Sequence, residues 1–113
     1  MILSKALVQR KDAFAPVVED LSVDGFPLVG ARIDVIGLEP AATLVYRHGM
    51  HLISLTEMPS MRALSASISH NLQRGYLVLS WSDGKINYWA VSDSAADELQ
   101  SFVRQFLTAS AGS

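Results

Sequence analysis

The sequence predicts an α+β domain in which about five antiparallel strands form one sheet as a meander of hairpins, with an amphipathic helix at the C-terminal end packed on one face. Two turn signals, His48-Gly49 and Asp83-Gly84, each lie between segments with strand-like patterning. Near the C-terminus, apolar residues recur at spacings of three and four, which is typical of a helix with one buried face. The chain of 113 residues has the size of a single domain.

The N-terminal part is predicted to contain an arm, a short helix and a first strand. Residues 1–15 are interpreted as an arm or linker remnant that precedes the domain at 16–107. A short helix is predicted over 16–23, because proline is favoured in a first turn and acids such as Glu19 are favoured near the positive end of the helix dipole. Residues 26–36 alternate in polarity, which predicts the first strand.

Two strands, 42–47 and 50–58, are predicted to form a hairpin around His48-Gly49. Histidine tolerates a positive φ and glycine adopts one freely, so these two residues suit a two-residue loop. This register places Tyr46 opposite His51. The pattern then weakens, and the residues up to Gly75 are predicted to form a loop or a short irregular helix.

The second hairpin is the clearest local prediction. The segments 76–82 and 85–91 enclose Asp83-Gly84, which is among the strongest hairpin signals in a sequence. Both faces of the hairpin are partly apolar, with Trp81 on one and Trp89 on the other. A strand pair that is apolar on both faces is predicted to lie in the centre of its sheet.

The final helix is predicted to begin after the cap candidates 92–94 and to run to about Leu107. Asp97 and Glu98 fall in its first turn, where acidic side chains are favoured. Residues 108–113 are small and polar, and a disordered tail is predicted there. The apolar stripe that the helix would bury consists of Leu99, Phe102, Val103, Phe106 and Leu107.

Composition excludes several classes of protein. The chain has no cysteine, so it forms no disulfide scaffold, thiolate metal site or cysteine nucleophile. Its formal net charge is −2, which disfavours a nucleic-acid partner. No apolar run approaches the roughly 18 residues of a membrane span, and the basic pair Arg10-Lys11 follows the apolar residues, which is the reverse of a signal peptide. This chain alone is therefore expected to be soluble.

The sequence carries no pattern that predicts catalysis, a cofactor or a metal. A nucleophile elbow, a Walker loop and a dinucleotide-binding fingerprint are all missing, so no enzyme is predicted. The three histidines, His48, His51 and His70, lack the further donors that a metal site needs. Aromatic residues are dense over residues 76–89. Core packing explains this density most simply, and an aromatic contact surface is the alternative.

Several short blocks, taken in order, resemble one family. They include Phe-Ala-Pro at 14–16, Gly-Phe-Pro-Leu-Val-Gly at 25–30, Ala-x-Leu-Val-Tyr-Arg at 42–47, His-x-Ile-x-Leu at 51–55, Gly-Tyr at 75–76 and Tyr-Trp-Ala-Val-Ser-Asp at 88–93. Their order and spacing resemble the C-terminal, periplasmic domain of transmembrane anti-sigma factors of bacteria. Residues 4–8 depart from the family, since only Lys5 remains of its Val-Lys-Pro-Trp-Phe run.

The resemblance implies a non-enzymatic sensory domain in the regulation of transcription. Such regulators hold a sigma factor inactive through a cytoplasmic N-terminal domain that one membrane span joins to the periplasmic domain. That N-terminal domain is missing from these residues, so a sigma factor is implied as a partner only through it. The partner implied for this domain is a protein or an envelope signal. Independently of the resemblance, the predicted contact residues are Tyr46, His51, Tyr76 and Trp89, because an aromatic face that the helix leaves uncovered would form a contact patch.

Two other functions remain open from the sequence. One is a stand-alone module that binds a small ligand or a metal, which would require a concave site. The other is a structural homodimer formed by edge pairing of the strand at 26–36.

Overall fold

The computed structural model describes residues 16–37, 39–59 and 65–111, which form one antiparallel sheet followed by one α-helix. In none of these ranges is there a helix of sufficient length and apolarity to cross a membrane. The elements are β1 (Leu28–Ile36), β2 (Glu39–His48), β3 (His51–Pro59), β4 (Ser69–Gln73), β5 (Tyr76–Ser82), β6 (Ile86–Ser92) and α1 (Ala96–Ala111).

The sheet consists of two three-stranded meanders placed side by side. The strand order is β1-β2-β3-β6-β5-β4, and every neighbouring pair is antiparallel. The two meanders meet where β3 pairs with β6, so β1 and β4 are the edges of the described sheet. The α+β class and the antiparallel sheet with a C-terminal helix are thus confirmed, and the number of strands is six instead of about five.

The additional strand is β4, for which the sequence predicted a loop or an irregular helix. All five residues of β4 are exposed, and β5 is the strand it pairs with. An edge strand that buries no side chain lacks the apolar alternation by which strands are recognised. Arg74 and Gly75 both adopt a positive φ, and they form the tight turn to β5.

The helix predicted over 16–23 is wrong. Residues 16–20 have no regular secondary structure, and a single 3₁₀ turn follows at Ser22–Asp24. The Asp20 carboxylate accepts a hydrogen bond from the backbone N–H of Ser22, which turns the chain locally. Gly25 then ends the turn with a φ of 90°. The arm predicted for residues 1–15 lies outside the described residues.

The turn of the first hairpin is Gly49-Met50, not His48-Gly49. β2 and β3 pair His48 with His51, so Tyr46 faces Ile53 and not His51. His48 remains in β2 because its ring stacks on Phe26 at 4.7 Å and its Nδ1 lies 3.1 Å from the carbonyl of Gly25.

The second hairpin has a longer turn than its sequence signal predicts. Ser82 pairs with Asn87, and Trp81 pairs with Tyr88. The Asp83 carboxylate accepts hydrogen bonds from the N–H groups of Lys85 and Ile86, at 2.8 and 2.7 Å, and so organises the turn. The pairing is displaced by two residues from the predicted one, and therefore every side chain keeps its predicted face.

The core lies between the sheet and α1. Phe102 packs on Tyr46, with 4.8 Å between ring centroids, and Phe106 packs on Tyr88 at 5.7 Å. Leu99 and Val103 complete the buried stripe, as the sequence predicted, whereas Leu107, also predicted to be buried, is exposed at the side of the helix. The helix continues to Ala111, four residues into the segment for which a disordered tail was predicted.

Candidate functional site

The face of the sheet opposite α1 is left uncovered by the described elements, and we call it the open face. Strand alternation directs a second set of side chains away from the helix, and these are only half buried. Thr43 and Thr56 contact each other there, with 3.3 Å between their hydroxyl oxygens. The half-buried residues of the open face are Val45, Ser54, Thr56, Val78, Ser80, Trp89 and Val91.

A cleft of about 320 Å³ lies at one end of the open face, where β3 and β5 begin and β6 ends. Three large apolar side chains around it are exposed: Met50 at 96%, Leu52 at 56% and Tyr76 at 49% of their possible area. The full lining is Met50, His51, Leu52, Ser54, Tyr76, Val91, Ser92 and Asp93.

One wall of the cleft carries a polar pair. His51 Nδ1 lies 3.1 Å from the Asp93 carboxylate, and both side chains are about half exposed. Ser92 donates a hydrogen bond of 2.9 Å to the carbonyl of Leu52, which holds the end of β6 against the start of β3. A solvent-exposed pair of this kind contributes at most about 1 kcal/mol to stability. Its effect at this site is to place one basic and one acidic group beside apolar side chains.

Three of the four predicted contact residues lie on this surface. His51 and Tyr76 line the cleft together, although β6 separates their strands. Trp89 lies on the same face, where it pairs with Thr56 on one side and with Ser80 on the other. The structure therefore brings His51 and Tyr76 together at the cleft, and it places Trp89 farther along the open face.

Tyr46 lies elsewhere. It is fully buried on the helix side of the sheet, and its hydroxyl donates a hydrogen bond of 2.8 Å to the carbonyl of Glu19. Burial is the main cause that raises the pKa of this phenol far above its usual value. Tyr46 is a core residue, and we leave it out of the candidate surface.

Sequence reasoning missed several residues of the cleft. Met50 was assigned to a strand, and it lies in the turn that precedes β3. Leu52 was overlooked, although it is out of phase with the buried residues Ile53 and Leu55 of the same strand. Asp93 was treated as a cap candidate for the helix. The phase of Leu52 was the available signal, since an apolar residue on the outward side of a strand is exposed.

Glu57 is a second feature that the sequence analysis passed over. It is in phase with Ile53 and Leu55, and its side chain is fully buried on the helix side. Its Oε1 accepts a hydrogen bond of 2.7 Å from the N–H of Val17, and its Oε2 has no partner. Burial raises the pKa of this carboxyl to about 8, and the nearby Asp83 contributes to the shift.

No metal site is found within residues 16–37, 39–59 and 65–111, where no three acidic or histidine side chains gather. His48 packs on Phe26, and its Nε2 lies 3.4 Å from the carboxylate of Glu98. His70 is exposed on the edge strand β4. The interpretation of the chain as a protein without catalytic activity stays a prediction.

Comparison of the chain with protein-family models, curated proteins and solved structures finds no match. The resemblance to anti-sigma regulators therefore also stays a prediction.

Proposed function

We propose that this chain is a non-enzymatic interaction domain that binds a protein partner through the open face and its cleft. The observation that carries the proposal is the exposure of Met50, Leu52 and Tyr76 around one cleft at the end of the open face. Contiguous apolar surface rimmed by polar groups marks interaction sites, because water penalises its exposure.

The chemistry of this surface favours a protein over a small molecule. Aromatic residues and methionine are enriched at protein interfaces, and buried aromatic anchors provide much of the binding energy. The face is formed by strands, and the cleft of about 320 Å³ at its end would accept side chains of a partner. His51 and Asp93 at the rim would set the orientation of the partner through charge.

The resemblance supplies the biological setting of the proposal. As the periplasmic domain of an anti-sigma regulator, the chain would bind an envelope protein and so change which of two states the regulator adopts. Binding shifts such an equilibrium only by the difference in affinity for the two states. The sigma factor itself would be bound by a different, cytoplasmic domain.

A test of this function uses a charge placed on the exposed surface. Leu52→Asp introduces a carboxylate into the cleft, while the matched control Val23→Asp introduces one on the 3₁₀ turn, where Val23 is fully exposed. Both variants should fold, since neither side chain is in the core. A photo-crosslinking residue at Tyr76 in the source bacterium should capture one protein, and capture should be lost with Leu52→Asp only.

Transcription provides the second measurement. Genes under the control of an extracytoplasmic sigma factor should change expression with Leu52→Asp and not with Val23→Asp. If a folded Leu52→Asp variant retained the crosslink and normal transcription, the open face would not be the binding surface. Capture of a second copy of this chain would favour the homodimer instead.

A further inference from the structure

Residues 16–20, which we call the N-terminal strap, cover the buried carboxyl of Glu57. We propose that the strap is a proton-controlled latch, which stays closed over the sheet while Glu57 is protonated and opens when Glu57 ionises. The latch lies on the helix side of the sheet, so it is independent of the binding proposed for the open face.

Within residues 16–37, 39–59 and 65–111, two hydrogen bonds hold the strap to the sheet. The N–H of Val17 donates to Glu57 at 2.7 Å, and the hydroxyl of Tyr46 donates to the carbonyl of Glu19 at 2.8 Å. Val17 and Val18 pack against the core and are only partly buried. The strap has no regular secondary structure, so it can separate from the sheet without the loss of a strand or a helix.

Ionisation of Glu57 would destabilise the closed state. In the neutral acid, Oε1 accepts the Val17 hydrogen bond as a carbonyl oxygen. In the carboxylate, the charge is fully buried, and Oε2 has no hydrogen-bond partner. A buried charge without a counter-charge is among the most costly features in a protein interior.

The groups that face Glu57 do not relieve this cost. Glu19 of the strap and Asp83 of the β5–β6 turn are both acidic, and both raise its pKa. Tyr88 of β6 donates its hydroxyl to Asp83 at 2.9 Å, and Tyr46 of β2 donates to the strap. Among the described residues, no lysine, arginine or histidine forms an ion pair with Glu57.

Proton linkage gives the direction and the steepness of the response. Glu57 titrates at about 8 when the strap is closed, and it would return towards its ordinary value of 4.5 when water reaches it. The open state therefore binds fewer protons between these values. The ratio of open to closed strap should rise about tenfold per pH unit up to about pH 8 and then become constant.

Thiol labelling measures the opening, because the chain contains no cysteine of its own. Val18→Cys places a thiol on the packed side of the strap, and Val23→Cys places one at an exposed position nearby. The ratio of the two labelling rates cancels the ionisation of the thiol itself. From pH 6 to pH 8 this ratio should rise by about two orders of magnitude. In a Glu57→Gln background it should stay constant.

Two results would overturn the latch. The first is a ratio that does not change with pH, or that rises equally with Glu57→Gln. The second is labelling of Ser92→Cys, a buried position on β6, as fast as that of Val18→Cys at the same pH, because that would show unfolding of the whole domain. If Glu57→Gln does not fold, NMR of the unaltered chain decides: the Val17 amide signal should shift with a midpoint near pH 8, and an unchanged signal would refute the proposal.

Discussion

Glu57 and Tyr46 occupy inward positions on the neighbouring strands β3 and β2, and each has a polar group to satisfy inside the core. Tyr46 does so through the carbonyl of Glu19, and Glu57 satisfies only one of its two oxygens. Both residues depend on the strap, since it supplies both partners. At the scale of single residues, the helix side of the sheet is thus apolar at its centre and polar where residues 16–20 cross it.

Replacement of Glu57 by Gln should remove most of the pH dependence of stability between about pH 5 and 8. The folded state holds the Glu57 proton up to about pH 8, and the unfolded chain releases it near 4.5. The free energy of unfolding of the unaltered chain therefore falls as pH rises through this range and is lowest above pH 8. The pKa values of Glu57 in the folded and unfolded states, about 8 and 4.5, differ enough to lower the free energy of unfolding by at most about 5 kcal/mol. Each pKa unit corresponds to about 1.4 kcal/mol.

Urea unfolding at pH 5, 7 and 9 measures this effect. The variant should be more stable than the unaltered chain at pH 9 and of similar or lower stability at pH 5, because its amide leaves buried donors unpaired. Parallel curves for the two proteins would show that Glu57 is not the group that titrates.

The two tryptophans form a matched pair for a second prediction. Trp81 is buried in a ring stack with Tyr88 at 5.1 Å, while Trp89 is half buried on the open face. Trp81→Ala should cost about 3–5 kcal/mol of unfolding free energy, and Trp89→Ala should cost only about 1–2 kcal/mol. Thermal unfolding gives both values. A cost for Trp89→Ala as large as that for Trp81→Ala would make Trp89 a core residue and would remove it from the contact surface.

At the scale of elements, the sequence was informative wherever a strand or helix buries one face and exposes the other. The stripe of α1 followed from spacing, except at Leu107, but the strand order did not, because the sequence predicted a simple meander and β6 is the strand that pairs with β3. β4 did not follow from spacing either, because its side chains are all exposed and its pairing with β5 is what holds it in place. The register of the first hairpin differs from the predicted one by two residues. The reason is that the contacts of His48 with Phe26 and Gly25 outweigh the preference of this histidine for a turn.

Alternation in the sequence was also insufficient to identify which of the predicted contact residues lie on the open face. Tyr46 and Trp89 are both aromatic residues in strands that are apolar on both faces. Alternation assigns Tyr46 to the phase of Leu44, but it does not say which phase the helix covers. His51 and Tyr76 are far apart in the chain, and only the pairing of β6 with both β3 and β5 brings them to one cleft.

The docking of α1 leads to a prediction at this scale. Phe102 is fully buried against Tyr46 and Phe26, whereas Leu107 is exposed at the side of the helix. Phe102→Ala should therefore lower the free energy of unfolding by about 3–5 kcal/mol, and Leu107→Ala by less than about 1 kcal/mol. Chemical denaturation of both variants measures the difference. Similar costs would mean that the helix is held by more than its apolar stripe.

At the scale of the whole molecule, one face of the sheet is covered, and the two edge strands expose both polar and apolar side chains, among them Val35 on β1 and Leu72 on β4. The edge strand β1 carries an ion pair of 2.7 Å between Arg32 and Asp34, and the edge strand β4 buries no side chain. Charged edge strands disfavour pairing with another sheet. The charges of Arg32 and Asp34 accordingly oppose edge pairing at the centre of β1.

The purified chain should consequently behave as a monomer. Sedimentation equilibrium should give the mass of 12.3 kDa over a wide range of concentration. The double variant Arg32→Val, Asp34→Val removes the charges from β1 and should associate at high concentration. A concentration-dependent mass of the unaltered chain that Leu52→Asp abolishes would show self-association through the open face.

The position of β6 has a consequence for how the domain reaches this structure. It is the last strand in the chain, and it lies between β3 and β5, where it pairs residues as distant as Ile53 and Ser92. The edge of β3 in the first meander, β1 to β3, therefore stays unpaired until most of the chain has been synthesised. Contacts of such large sequence separation form slowly, because the loop between them must close first. The completed sheet and its helix cover should consequently form only after translation of the domain has ended.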